Sequence, residues 1–333
     1  MSQATIEVEH LSKIYGSNVA IEDVHFSVNT GEILGFLGPN GAGKTTTMRI
    51  LAGYLPATAG TAKIAGYDVH RDSMQVRRRI GYLPETPPLY PEMSVKSFLH
   101  FVAKIKGVRA NQRRAKVARA IERCQLIDRE NTVIRQLSKG YRQRVGIAQA
   151  IVHEPPAIIL DEPTVGLDPR QIIEVRNLIK SLAGEHTIII STHILPEAST
   201  LCDRVTIINR GKVITTNTPR DLQAQLESNF GYEIELTGEI EKILPLLPEI
   251  SGVVGVTQKD RSSTKYSDRP PRTLLEADRH FIQISCLPDT EPGTDLAATI
   301  IKQGLKLHEM RRTRPSLEDV FLELTTEEPQ SNY

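Results

Sequence analysis

Long apolar runs are missing from this sequence. The longest, such as Ala157–Leu160, fall far short of the roughly 18 residues a membrane-spanning helix needs, so no span is expected. A secretory leader is not expected either, because the opening MSQATIEVEH carries acids and no apolar core. These two absences predict a protein made and kept in the cytoplasm unless a partner draws it to a membrane. Cysteine is scarce: Cys124, Cys202 and Cys286 are odd in number and far apart. That excludes a disulfide framework and a cysteine metal site, and leaves each as a small apolar residue. No interleaved aromatics or zinc-finger spacing accompany the basic clusters Arg77–Arg79 and Arg311–Arg314. Both read as solvated faces, and nucleic-acid binding is not expected.

What is present is an ordinary globular composition, 39% hydrophobic and 24% charged, which excludes disorder, collagen and coiled coil. The 333 residues suffice for two domains at about 150 residues each. The net charge of +1 hides an asymmetry. Residues 1–225 hold 29 Lys and Arg against 21 Asp and Glu, a net of +8; residues 226–333 hold 12 against 19, a net of −7. The basic part suits an anionic ligand or surface, and it equally suits a plain solvated face.

Along the chain the pattern is mostly alternating strand and helix. Residues 23–37 give two apolar runs split by the turn Asn29-Thr30-Gly31, with a weaker strand at Ile6–Val8. Residues 61–69 and 80–84 read as short strands. From Ser94 the stripes Val95, Phe98, Leu99, Val102, Ile105 and then Val117, Ile121, Cys124 predict helices. The stretch 86–150 is thus a helical subdomain inserted into an α/β core. Ala157–Leu160 and Thr187–Ile190 are apolar all round, as buried parallel strands are, with a helix Ile172–Leu182 between them. Val205–Asn209 and Lys212–Thr215 flank Arg210-Gly211, a hairpin signal. Residues 220–231 read as a helix running into a linker. Then come strand Tyr232–Leu236, helix Glu239–Leu247, strands Val253–Gln258 and Phe281–Cys286, helix Asp295–Gln303, strand Leu305–Met310 and a final helix Leu317–Leu324. The order βαββαβ predicts a small ferredoxin-like α+β domain, 226–333, with a long polar loop at Asp260–Arg279.

The chemistry starts at GPNGAGKT, that is Gly38, Pro39, Asn40, Gly41, Ala42, Gly43, Lys44 and Thr45, between a strand and a helix. The glycines let backbone N–H groups wrap phosphate oxygens, and the helix after the loop adds its positive end. Lys44 is placed to bridge the β- and γ-phosphates, Thr45 to bind Mg²⁺ and Thr46 to reach the α-phosphate. Asp161 and Glu162 close the AIIL strand. At the carboxyl end of an open parallel sheet they lie beside the phosphate loop. Asp161 is expected to hold Mg²⁺ and Glu162 to orient and deprotonate the attacking water.

ILDEP and TVGLDP, downstream of LSKGYRQRVGIAQAI (Leu137–Ile151), resemble an ABC-type ATPase. The match runs from about residue 4 to 220. YLPE, LSKGY and SLEDVFLELT resemble more closely the ATPase subunits of ABC-2-type exporters, of the gliding-motility-associated and multidrug export kinds. The resemblance implies a P-loop ABC-type core, ATP and Mg²⁺ as ligands, and a dimer of identical or paired ATPase subunits. Ser138 and Gly140 would then contact the γ-phosphate on the opposite subunit, and Asp168 would link the two sites. His193, ending TIIISTH, would contact γ-phosphate and water. Two readings stand for Tyr15: stacking on adenine, or a half-buried strand tyrosine. The sequence departs from the family at Lys139, Tyr141 and Glu85. Glu85 stands where a glutamine is usual, and either touches the metal or is a solvated loop carboxylate.

Two functions fit these residues. The first is the ATP-hydrolysing subunit of a membrane exporter, peripheral on the inner face of the membrane, driving a separate transmembrane permease. The second is a soluble, non-transport ABC ATPase acting on ribosomes or nucleic acid. The single cassette and the lack of long heptad arms favour the first.

Overall fold

The run ILGFL is apolar on every face, and such a strand is stable only inside a sheet covered on both sides. The computed structural model describes residues 4–222, 231–259, 279–287 and 290–313. The chain divides into two compact units, residues 1–219 and 220–333.

The first unit has strands β1 (Ala4–Tyr15), β2 (Asn18–Asn29), β3 (Ile33–Leu37), β4 (Ala59–Ile64), β5 (Tyr67–Asp68), β6 (Ile80–Leu83), β7 (Ala157–Asp161), β8 (Thr187–Thr192), β9 (Arg204–Asn209) and β10 (Lys212–Asn217). Its helices are α1 (Lys44–Leu51), α2 (Ser73–Arg79), α3 (Val95–Ile105), α4 (Ala110–Arg123), α5 (Lys139–Ile151), α6 (Pro169–Leu182) and α7 (Leu195–Leu201). An antiparallel sheet has the order β2-β1-β4-β5. A six-stranded sheet has the order β10-β9-β3-β8-β7-β6 and is parallel apart from the β9–β10 hairpin. All five residues of β3 and of β7 are buried. Helix α1 packs on strands of both sheets. The core there gathers Phe26, Phe36, Met48, Leu51, Ile64 and Ile159, with the two phenyl rings 5.3 Å apart.

The expected helical insert is α3, α4 and α5, packed on one another, with α5 lying on β6. The approach is close: a Cβ on Gly81 would stand 2.2 Å from the Ala150 carbonyl oxygen. Lys106, just past α3, ties the insert back to the sheet by donating to the carbonyls of Arg77 (2.9 Å) and Ile80 (3.0 Å). Burial, and then the Arg77 charge, bring its pKa down to about 8. Helices α2 and α7 and the full length of β1 exceed what the sequence pattern indicated.

The second unit has strands β11 (Gly231–Thr237), β12 (Val253–Lys259), β13 (Arg279–Cys286) and β14 (Lys306–Thr313), and helix α8 (Gly293–Lys302). The order β12-β13-β11-β14, with every pair antiparallel, is the ferredoxin-like one. One element differs. In place of a helix at Glu239–Leu247 there are two short 3-10 turns, Ile240–Lys242 and Leu247–Glu249. Pro245 and Pro248 each remove a backbone donor that a regular helix would use. Residues 260–278 of the expected loop Asp260–Arg279, the final helix Leu317–Leu324 and residues 223–230 of the expected linker helix lie outside the described residues, while Arg279 opens β13.

Candidate active site

Three parallel strands end side by side. Strand β8 lies between β3 and β7, with Leu37 beside Thr192 and Asp161 beside Ser191. The segments leaving these strand ends therefore meet at one sheet edge: the phosphate loop after β3, Glu162 after β7 and His193 after β8.

The loop is pressed against its surroundings. Gly43 has φ 104°, and a Cβ there would stand 2.5 Å from Ile21 Cγ2; neither the angle nor the space admits another residue. Gly43 also opens α1, whose first turn has no side-chain cap and no acid. Its leading N–H groups are thus available to an anion. Ala42 is buried and its carbonyl accepts from the Gly211 N–H at 3.0 Å, so it shapes the loop. Gly38 and Pro39 present carbonyls inward. The Lys44 ammonium, only 6% exposed, donates to Gly38 O (2.7 Å) and Pro39 O (3.2 Å) and stands 3.3 Å from Glu162 Oε1.

Asp161 is buried. Its Oδ1 accepts from Ser191 Oγ at 2.5 Å and from Thr45 Oγ1 at 3.4 Å. Its Oδ2 is buried without a hydrogen-bond partner. A carboxylate oxygen left bare in this way is costly unless a cation or its water completes it, so the donor set fits a hydrated Mg²⁺. Burial, and then the Asp161 charge, push the Tyr82 phenol up to about 12. Glu162 sits in the left-handed region at φ 49°, an uncommon place for a side-chain residue. Its N–H donates to Ser191 Oγ (2.9 Å) and Ser191 O (3.2 Å). Its Oε2 accepts from His193 Nδ1 at 2.9 Å. An ionised carboxylate only accepts, so Nδ1 carries the proton.

A cleft of about 360 Å³ is lined by Asn40, Gly41 and Gly43–Thr46 from the loop and by Glu85, Glu162 and His193 around it. Glu85 is exposed at its margin. Tyr15 does not line the cleft; it is 47% exposed, with the Lys13 ammonium 5.1 Å above its ring. The next residues of that hairpin, Asn18, Val19 and Ala20, do line it, and sequence reading passed them over. Ser191 was also missed, although a hydroxyl directly after the apolar run Ile188–Ile190 was the available signal.

Ser138, Gly140 and Asp168 stand apart from their own chain's cleft. Ser138 caps α5, accepting from Tyr141 N. Asp168 caps α6, accepting from Gln171 N at 2.9 Å. Gly140 is buried against the Gln171 side chain, whose Cδ would be 2.7 Å from an added Cβ. Lys139 is exposed and lies over Gly166.

The family model for ABC transporters matches residues 21–165. An uncharacterised ABC transporter ATP-binding protein of Bacillus subtilis (strain 168) is 33% identical over 96% of this chain and 99% of its own length. The chain belongs to the ABC transporter ATP-binding protein family. A Nod factor export ATP-binding protein of Burkholderia orbicola (strain AU 1054) is 34% identical over 99% of this chain and 100% of its own. A dimeric bacterial ABC transporter cassette is similar at TM-score 0.59 and 26% identity, over 65% of this chain and 99% of its own, and has also been solved with ADP and Pi. The chain is an ATP-binding cassette and an ATPase, on the α/β P-loop fold with a parallel sheet. The relatives carry transport names, which favours the transporter reading over the soluble, non-transport one.

Proposed function

We propose that this ABC cassette hydrolyses ATP to drive an ABC-2-type exporter from the inner face of the membrane. The observation that supports it best is the convergence of Lys44, Glu162 and His193, from three strand ends, on one cleft. In this reading the triphosphate lies along the loop, and Lys44 exchanges its backbone carbonyls for β- and γ-phosphate oxygens. Thr46 reaches the α-phosphate, and Tyr15 stacks on adenine. Thr45, Asp161 Oδ2 and Glu85 would hold Mg²⁺, which when bound neutralises charge on the phosphate oxygens. Glu162 takes a proton from water as the water oxygen bonds to the γ-phosphorus. The bond from that phosphorus to the β–γ bridging oxygen breaks, releasing ADP and phosphate. His193, its Nδ1 proton held by Glu162, is oriented to meet the γ-phosphate through its other nitrogen.

Ser138, Gly140 and Asp168 act across a dimer of identical or paired ATPase subunits. Their position away from their own cleft supports this reading, since a nucleotide bound in that cleft does not need them. A two-fold axis gives two such sites. Among the described residues no helix is long and apolar enough to cross a membrane, and the pore belongs to a separate permease. The permease segment docks in a groove of about 610 Å³ where exposed Tyr54, Met74 and Ile105 surround Arg77, Arg78 and Lys106. The second unit is an accessory domain.

Glu162→Gln keeps the side-chain shape and removes the base. With Mg-ATP it is expected to lower phosphate release by about 10²–10⁴-fold and to run as a dimer in size-exclusion chromatography with light scattering. A variant that stays monomeric and hydrolyses normally would refute both the base and the shared site.

A further inference from the structure

The Glu162–His193 contact joins two segments that are far apart in the chain, and something must set its length. Glu197, on α7, is 5% exposed. Its Oε2 accepts from Thr164 Oγ1 at 2.8 Å and Thr192 Oγ1 at 3.2 Å. Its Oε1 accepts from Arg176 Nη2 at 2.8 Å. One buried carboxylate therefore gathers three segments.

Each segment leads to the site. Thr164 belongs to the turn that carries Glu162, closed by Val165 N to Glu162 O at 3.2 Å. Thr192 directly precedes His193, and its hydroxyl also accepts from Ile194 N at 3.0 Å, so it holds the backbone on both sides of His193. Arg176 lies on α6, whose Gln171 side chain lies against Gly140. Bonds to a charged acceptor are stronger than neutral ones, and removing the charge leaves buried donors without their partner.

We propose that Glu197 is a positioning residue that fixes the separation of Glu162 and His193 and, through Arg176, makes it follow α6. The proposal rests on Glu162 acting as the base. It supplies a route from the Gly140 face to the reacting atoms: Gln171 and Arg176 ride on one helix, and Glu197 passes a shift of that helix to both catalytic segments. A route of this kind is established by energetic coupling between its members, not by adjacency.

The test uses the full chain with Mg-ATP. Glu197→Gln is expected to lower kcat by about 10- to 100-fold, with KM for ATP and Kd for ADP held within about twofold. In the His193→Ala background the same change should lower kcat by less than about twofold, because the contact it sets is already gone. Thr164→Val and Thr192→Val each remove one arm and leave the Arg176 ion pair, so they carry the test if Glu197→Gln does not fold. Thr192→Ser should restore what Thr192→Val loses. A kcat for Glu197→Gln within about twofold of wild type overturns the proposal. So does a loss repeated in full in the His193→Ala background, or one matched by equal losses in KM and Kd, since these mark a merely structural role. Glu162→Gln is assayed alongside. Normal turnover there overturns the base reading and this proposal with it, whereas an inactive Glu162→Gln beside a normal Glu197→Gln overturns the positioning role alone.

Discussion

The two units handle charge in opposite ways. In the second unit charges pair across the sheet: Glu235, 7% exposed, pairs with Arg279, and Glu233 with Arg311. Those pairs join β11 to its neighbours β13 and β14 and are a property of the fold itself. In the first unit the charges that form the cleft lie at the strand ends or just past them. There Asp161 keeps an oxygen bare, and Lys44 rests on its own loop's carbonyls. An antiparallel face lets opposite charges on adjacent strands meet. Parallel strand ends collect loops instead, and a charge there can be held for a ligand. Charged side chains thus stabilise one sheet and arm the other.

Lys44→Ala should test that contrast most severely. Losing charge-assisted bonds to phosphate, about 1.5–3 kcal/mol, should raise Kd for Mg-ATP by about 10- to 100-fold by calorimetry. A fall in melting temperature with unchanged affinity would instead make Lys44 a structural charge and erase the distinction. Glu235→Ala is the counterpart. It removes the carboxylate of a cross-strand ion pair and should cost the second unit about 2 kcal/mol, read as faster hydrogen exchange in β11 and β13. ATP turnover should not change.

A third kind of group sharpens the comparison. His153 in the first unit is buried, with Nε2 3.1 Å from the Ile80 carbonyl oxygen and Nδ1 without a partner. Burial, and then the Lys106 charge, hold its pKa down to about 3. The unfolded chain, with the ordinary value of 6.5, binds the proton first. This group's contribution is fully present above pH 6.5 and is lost as pH falls toward about 3, at up to about 1.4 kcal/mol per pH unit. His153→Leu should flatten that slope in urea titrations at pH 7 and pH 5. The smallest effect is expected from Glu233→Gln. Both partners of the Glu233–Arg311 pair are over 40% exposed, so the loss should be under about 1 kcal/mol and should shrink with added salt.

How far the sequence could be read depended on how local each feature is. The phosphate loop was legible because its spacing lies within eight consecutive residues. Asp161, Glu162 and His193 were legible because an apolar strand points at each. The Glu197 carboxylate was not, since its three partners come from residues 164, 176 and 192 and only the fold joins them. Ser191 was hidden because nothing in one strand shows which residue of the next it faces. The crossover at 239–247 was misread because its apolar spacing suits a helix while Pro245 forbids one. Asn18 to Ala20, in the same hairpin as Tyr15, line the cleft and were passed over because hairpin register is not written in a single strand.

The neighbours of β3 also fix when the cassette can come into being. Synthesis completes this strand at Leu37, yet β8 and β9, which flank it, begin only at Thr187 and Arg204. At roughly 5–20 residues per second a ribosome leaves the strand ILGFL without an edge partner for on the order of 10 s. Through that interval the nascent chain carries an apolar strand with both edges open, the kind of surface that sticks to other chains. The arrival of β8 gives β3 its first edge partner and brings the strand ends of the cleft together, and β9 then covers the other edge. A chain stalled before Thr187 is therefore no weak ATPase but an unfinished sheet, and a holding chaperone should prefer that length to one that has passed Asn209.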